Sequence, residues 1–276
     1  MDQIDLFNID QETFKRNLID NNYCYFTNFD TNIINDLHYN SKQFFNNSDE
    51  YKQRFESTRN GPLSEKYPNL GYFSHFQETV AHSFQSQNKD LYSTINTKCT
   101  ANEEFEQCPG DLKESFNCNP IMQTECYPSK QFQYSMLNCY HYLQSLSFNI
   151  LHTLERILNI NPNQLVSKHL NYNSVLRIVH YNNYSEYSKD AYRIAKHRDG
   201  TTFTLIFHYD EYNDLERYNN NKWETIYSKP DSVIFHTGWK LQQLTDGLFP
   251  AMIHRVNNSN IETSRYSILF FFAGDV

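Results

Sequence analysis

Glycine is scarce, with seven in 276 residues, and neither GxGxxG nor GxxxxGK followed by Ser or Thr occurs. The phosphate-cradling loops of dinucleotide-binding and P-loop proteins are therefore excluded. There is no run of Lys and Arg, and the formal net charge is -8. Such a chain lacks the basic footprint of a nucleic-acid binder and is repelled by anionic membranes. No stretch reaches the roughly 20 apolar residues that span a bilayer. The start, Met1 to Asp5, lacks the basic flank and apolar core of a secretory signal, so a cytoplasmic protein is expected.

The six cysteines (Cys24, Cys99, Cys108, Cys118, Cys126, Cys139) form no CxxC pair. Free thiols are expected, because the spacing of the middle four is too wide and irregular for a zinc site. Asn, Tyr, Ile, Phe and Lys are abundant; their codons are rich in A and T, so the bias is genomic.

Helix and strand signals alternate in the first part. Gln11 to Asn21 reads as a helix, Tyr23 to Thr27 as a strand, and Asn32 to Asn46 as a helix with Thr31 as N-cap. Ser48-Asp49-Glu50 opens another short helix. A polar stretch from 82 to 107 reads as a surface loop. Ser129 to Leu158 carries Phe132, Met136, Leu137, Tyr140, Leu143, Leu146, Ile150, Leu154 and Ile157 at spacings of three and four, which predicts one long helix. Asn159 and Pro162 mark its end.

Beyond residue 172 the character changes. Val175 to Tyr181, Thr202 to Phe207, Trp223 to Tyr227, Ser232 to His236, Met252 to Val256 and Arg265 to Phe272 read as short strands separated by polar turns such as Asn219-Asn220-Asn221. That spacing predicts a β-sandwich or jelly roll. Three regions are expected: an N-terminal α/β cap over 1–120, a helical support over 121–172 and a β core over 173–276.

The chemistry gathers in the core. In an extended segment residues two apart point the same way, so His197 and Asp199 of His197-Arg198-Asp199 can aim at one ion. His254, in a later strand, can complete the face. Two imidazoles and one carboxylate suit ferrous iron and leave three positions open. A second copy, His208-Tyr209-Asp210, reads as the exposed end of a strand. Arg265 and Ser267 share a face of an apolar strand. A buried arginine needs a partner. A dicarboxylate ligand supplies one through a charge-assisted pair, with the serine hydroxyl adding a hydrogen bond. An internal acid is the alternative partner.

These residues carry a resemblance to the iron(II)- and 2-oxoglutarate-dependent dioxygenases of the isopenicillin N synthase-like group, over nearly the whole chain. The matching pieces are His197-Arg198-Asp199, Thr202-Phe203-Thr204-Leu205, Leu241-Gln242, Thr245-Asp246-Gly247, His254-Arg255-Val256 and Arg265-Tyr266-Ser267, with Tyr25-Phe26, Ser41 to Phe45, Gly71-Tyr72 and Asp111 to Phe116 in the first half. The resemblance implies a mainly β fold: a double-stranded β-helix (jelly-roll) core with an N-terminal α/β cap and a long supporting helix. It implies Fe(II) held by His197, Asp199 and His254, and 2-oxoglutarate held by Arg265, Ser267 and Tyr181. O2 is the second cosubstrate, and a small organic molecule is oxidised with release of succinate and CO2.

The chain departs from the family in several places. Val179 stands where many members have Asn. His236-Thr237-Gly238-Trp239 replaces a pattern that usually begins with Asn and ends with an acid. The sequence stops at Val276, soon after the Phe run, and the polar stretch near 82–107 is long; a different lid over the pocket is expected. Two further readings stand beside the oxygenase: an oxidase of the same architecture that does not use 2-oxoglutarate, and a non-catalytic jelly-roll binding protein. His180, His208 and His236 receive no role, and Trp223 and Trp239 read as packing residues. A monomer acting on a small molecule, without nucleic acid or membrane, is expected.

Overall fold

The computed structural model describes residues 1–56, 69–75, 77–78, 111–183, 193–208, 213–257 and 264–275. The polar stretch near 82–107, Cys99, Cys108, Tyr209 and Asp210 lie outside the described residues.

Two sheets face each other. The larger has eight strands in the order β1 (Gln3–Asp5), β2 (Tyr23–Thr27), β10 (Val233–Thr237), β7 (Phe203–His208), β12 (Arg265–Phe272), β5 (Val175–Tyr181), β4 (Glu114–Cys118) and β3 (Gly71–Phe73). The smaller runs β6 (Ile194–His197), β11 (His254–Val256), β8 (Leu215–Asn219), β9 (Lys222–Thr225). This is the jelly-roll core that the strand spacing predicts. The first part of the chain does more than sit on it: β1 and β2 extend one edge of the large sheet, and β3 and β4 the other.

The period-2 pattern sorts each strand's side chains between two cores. On β12, Tyr266, Ile268, Phe270 and Phe272 pack outward into the core shared with the helices. On the opposite face Arg265, Ser267, Leu269 and Phe271 line the cavity between the sheets. β7 divides in the same way, with Phe203, Leu205 and Phe207 outward and Ile206 and His208 on the cavity.

The outer core is closed by α2 (Thr31–Phe45) and the 29-residue helix α4 (Lys130–Leu158), with α1 (Gln11–Asn21) beside them and the short α3 (Asp49–Gln53) following α2. Helix α4 begins where Ser129 accepts from the Phe132 N–H, and ends where Asn159 turns left-handed at φ 52. Its stripe of Phe132, Met136, Tyr140, Leu143, Leu146, Ile150 and Leu154 is buried. Replacing one of these large residues by Ala costs about 2–5 kcal/mol. One expectation is corrected: the N-cap of α2 is Asp30, which accepts from Asn32 N, and Thr31 is already helical. An Asp carboxylate is the better acceptor for an unsatisfied helix N–H. Asn220 and Asn221, at φ 47 and 62, turn the β8–β9 hairpin, a conformation that Asn tolerates well.

The four described cysteines are buried and in no disulfide. Among the described residues no helix is long and apolar enough to cross a membrane.

Candidate metal centre

Strands β6 and β11 pair antiparallel with His197 directly opposite His254, and their rings are 4.2 Å apart. Asp199 follows two residues after His197. One ligand atom from each of His197, Asp199 and His254 lies within 4.8 Å of the others, and all three residues are buried. Asp199 Oδ1 is 3.3 Å from His197 Nε2 and 3.9 Å from His254 Nε2. Bonds of roughly 2.0–2.2 Å to imidazole nitrogen and carboxylate oxygen span atoms up to about 4.4 Å apart, which covers both Asp199 distances.

The backbone orients both rings. His197 Nδ1 is 2.9 Å from the Ala195 carbonyl, and His254 Nδ1 is 3.2 Å from that of Met252. A carbonyl accepts only from an N–H, so Nδ1 carries the proton and Nε2 presents its lone pair to the shared point. Burial and the neighbouring His197 push His254 well below the ordinary imidazole range, which keeps it neutral. Burial alone would raise the Asp199 carboxyl, but the His197 contact and the surrounding imidazoles hold it far below the usual range. It is therefore an anion. Two imidazoles and one carboxylate form a donor set that fits ferrous iron.

The loop carrying Asp199 is clamped from outside. Thr204 Oγ1 donates to Asp199 Oδ2. The first turn of α5 (Trp239–Leu244) supplies three backbone donors: Trp239 N to Asp199 O at 2.8 Å, Lys240 N to Thr201 O at 3.0 Å and Gly238 N to Thr202 O at 3.0 Å. A Cβ on Gly238 would sit 2.1 Å from Thr201 O, so only glycine permits this approach.

His236 is a neighbour to which the sequence reading gave no role. It is fully buried, its ring is 4.7 Å from that of His254, and its Nε2 lies 3.3 Å from Asp199 Oδ2. Its angle is too poor for a hydrogen bond, which leaves that nitrogen without a hydrogen-bond partner. The departure at His236-Thr237-Gly238-Trp239 was the one sequence signal pointing to it.

The same cavity holds Arg265, Ser267, Tyr181 and His208. Arg265 Nη1 donates to Ser267 Oγ at 2.8 Å, and its guanidinium lies 4.0 Å over the Tyr181 ring. Burial first, set against the attraction of Arg265, leaves the Tyr181 hydroxyl raised to about 12, so it stays a phenol. Arg265 also has an internal acid, Asp214, which nothing in the sequence singled out because it lies 51 residues upstream, just before strand β8 of the smaller sheet. His208 ends strand β7, half-buried, and lines the cavity. Trp239 and Trp223 lie under guanidiniums, those of Arg198 at 5.2 Å and Arg255 at 4.0 Å. Towards the other end, Arg177 lines the cavity above the Phe271 ring and is fixed by Asn117 and Glu78.

Known proteins resemble this chain in sequence over its β core and in fold. Residues 172–274 match the family described as the 2OG-Fe(II) oxygenase superfamily. Over those residues the chain resembles that superfamily. Gibberellin 20 oxidase 2 of Arabidopsis thaliana is 26% identical over 129 residues, covering 47% of this chain and 33% of the relative. A 2-oxoglutarate-dependent dioxygenase of Monascus ruber is 31% identical over 84 residues, covering 30% of this chain and 25% of the relative. The chain thus matches about a third or less of the length of these curated relatives. The fold matches more broadly. A full-length Neurospora crassa protein, solved with alpha-KG and thymine, superposes with a TM-score of 0.76 at 20% identity, covering 99% of this chain and 85% of that one. JOX2, solved with 2OG, Fe and JA, gives 0.77 at 16% identity, covering 100% and 75%.

Proposed function

We propose that this protein is an Fe(II)- and 2-oxoglutarate-dependent oxygenase acting on a small organic molecule. The observation that carries this is one cavity holding both the His197–Asp199–His254 convergence and the Arg265–Ser267 pair. His197, Asp199 and His254 hold the iron; Arg265 and Ser267 take the distal carboxylate of 2-oxoglutarate, with Tyr181 packed beneath the guanidinium. When bound, iron and 2-oxoglutarate together supply O2 activation coupled to release of succinate and CO2. The chain's part is positional. Nδ1 contacts hold the two rings in the ligating tautomer, and the α5 backbone holds Asp199. Val179, Ile206, Leu269 and Phe271 make the cavity walls apolar, which keeps water from the reacting groups.

Relatives and structural neighbours carry names or ligands of small organic molecules, a gibberellin oxidase and a thymine complex among them. A small-molecule substrate follows by similarity. The acidic net charge supports the same choice over nucleic acid. A cytoplasmic monomer is the accompanying expectation.

The test is succinate formation by purified protein, supplied with Fe(II), 2-oxoglutarate, O2 and a metabolite extract. Succinate in step with O2 consumption is expected. A second reading draws on one observation: Arg265 already has Asp214 as its counter-ion. In an oxidase that does not use 2-oxoglutarate, that pair is enough. Oxygen consumption without succinate under any condition would establish it.

A further inference from the structure

His208 ends β7 directly opposite Ser267 on β12. It lines the cavity beside Tyr181, Arg265 and Ser267. Yet its imidazole makes no hydrogen bond to any described residue. Burial first, then the positive charge of Arg265, brings its pKa down to about 3, so the ring is neutral. A neutral imidazole always keeps one N–H donor. That donor is available to an acceptor in the cavity. Strand register places it across from the serine hydroxyl and beside the guanidinium. A carboxylate seated on those two groups arrives within its reach.

We propose that His208 is a third donor to the distal carboxylate of the cosubstrate, completing a site of which Arg265 and Ser267 are two sides. The proposal rests on the 2-oxoglutarate reading above. It makes His208 a specificity residue: it favours ligands with a second carboxylate and is indifferent to 2-oxo acids that lack one.

Calorimetric titration of Mn(II)-loaded protein with 2-oxoglutarate and with 2-oxopentanoate separates the outcomes. The second ligand keeps the keto-acid end and replaces the distal carboxylate by a methyl group. His208→Phe keeps a ring of similar size without a donor; His208→Gln keeps a donor. His208→Phe should weaken 2-oxoglutarate binding about tenfold or more, the size of a hydrogen bond to a charged group. His208→Gln should stay within about threefold of wild type, and 2-oxopentanoate should bind both variants as it binds the wild type. Unchanged 2-oxoglutarate binding by His208→Phe overturns the proposal. So does an equal loss for both ligands, which makes the ring a packing element. Wild-type protein that does not bind 2-oxoglutarate overturns the cosubstrate reading itself, a distinct result. If His208→Phe does not fold, the ¹⁵N-imidazole signal of His208 in Zn(II)-loaded wild type decides. It should shift with 2-oxoglutarate and stay put with 2-oxopentanoate; no shift with either ligand, or the same shift with both, overturns the proposal.

Discussion

Arg265 Nε donates to one oxygen of Asp214 at 2.9 Å, and its Nη2 lies 2.8 Å from the same oxygen. Arg193 Nη1 is 3.3 Å from the same oxygen. All three residues are almost wholly buried. Arg265 lines the cavity and Asp214 does not, so the acid stands behind the guanidinium. That leaves the Nη1–Nη2 edge, next to Ser267, for a ligand. Removing the acid strands buried positive charge, which costs about 3–5 kcal/mol. Asp214→Leu is expected to lose that much stability in urea denaturation, and Asp214→Asn less. An Asp214→Leu variant as stable as wild type contradicts this account of the pair.

Gly238 lets the first turn of α5 press on the loop that carries Asp199. A Cβ there meets Thr201 O at 2.1 Å, and backbone cannot yield as a flexible side chain does. Gly238→Ala should lose about 1–3 kcal/mol of stability, the usual size of an overpacking penalty. It should also weaken Mn(II) binding, because Asp199 O is tied to Trp239 N. Loss of stability with metal affinity intact would disconnect α5 from the metal loop.

His236 sits against Asp199 Oδ2 without ligating in the convergent set. Residues that orient a metal ligand typically contribute about 10–100-fold to affinity. His236→Leu should lower Mn(II) affinity by roughly that factor, measured by calorimetry, while thermal unfolding of the metal-free protein stays near wild type. Unaltered metal affinity would make His236 a packing residue only.

Glu114 is a buried acid at the start of β4. Burial alone would raise it, but hydrogen bonds from His180, Lys52 and Tyr72 bring it down to about 2, against an ordinary 4.5. A folded-state value below the unfolded one contributes stability that is complete above about pH 4.5 and fades as pH falls toward 2. The stability gap between wild type and Glu114→Gln should therefore be widest at about pH 5 and above, and narrow as the acid range is entered. A gap that stays constant from about pH 5 to about pH 2.5 would show that the carboxylate is not ionised in the fold.

Much of the fold was legible because local periodicity decided it. The three- and four-residue spacing from Phe132 to Ile157 places helix α4 within one residue of its observed start, and the two-residue alternation of β12 separates Arg265 and Ser267 from Phe270 and Phe272. The nearness of His197, Asp199 and His254 was legible because HxD fixes two side chains locally and strand pairing brings the third. Pairings with no local signal were not. Asp214 meets Arg265 only through the packing of the two sheets, and the N-terminal strands reveal their places only as edges of the large sheet. His208 and His236 were visible as strand histidines, but which face each would show depended on register, and a slip of one residue reverses it.

The central claim is that His254 closes an iron site with His197 and Asp199 in a cavity that takes 2-oxoglutarate. Anaerobic addition of Fe(II) and 2-oxoglutarate to the purified protein tests it most directly. A weak visible charge-transfer band is expected for the wild type and should be absent from His254→Ala. A band that persists unchanged in that variant would contradict the assignment.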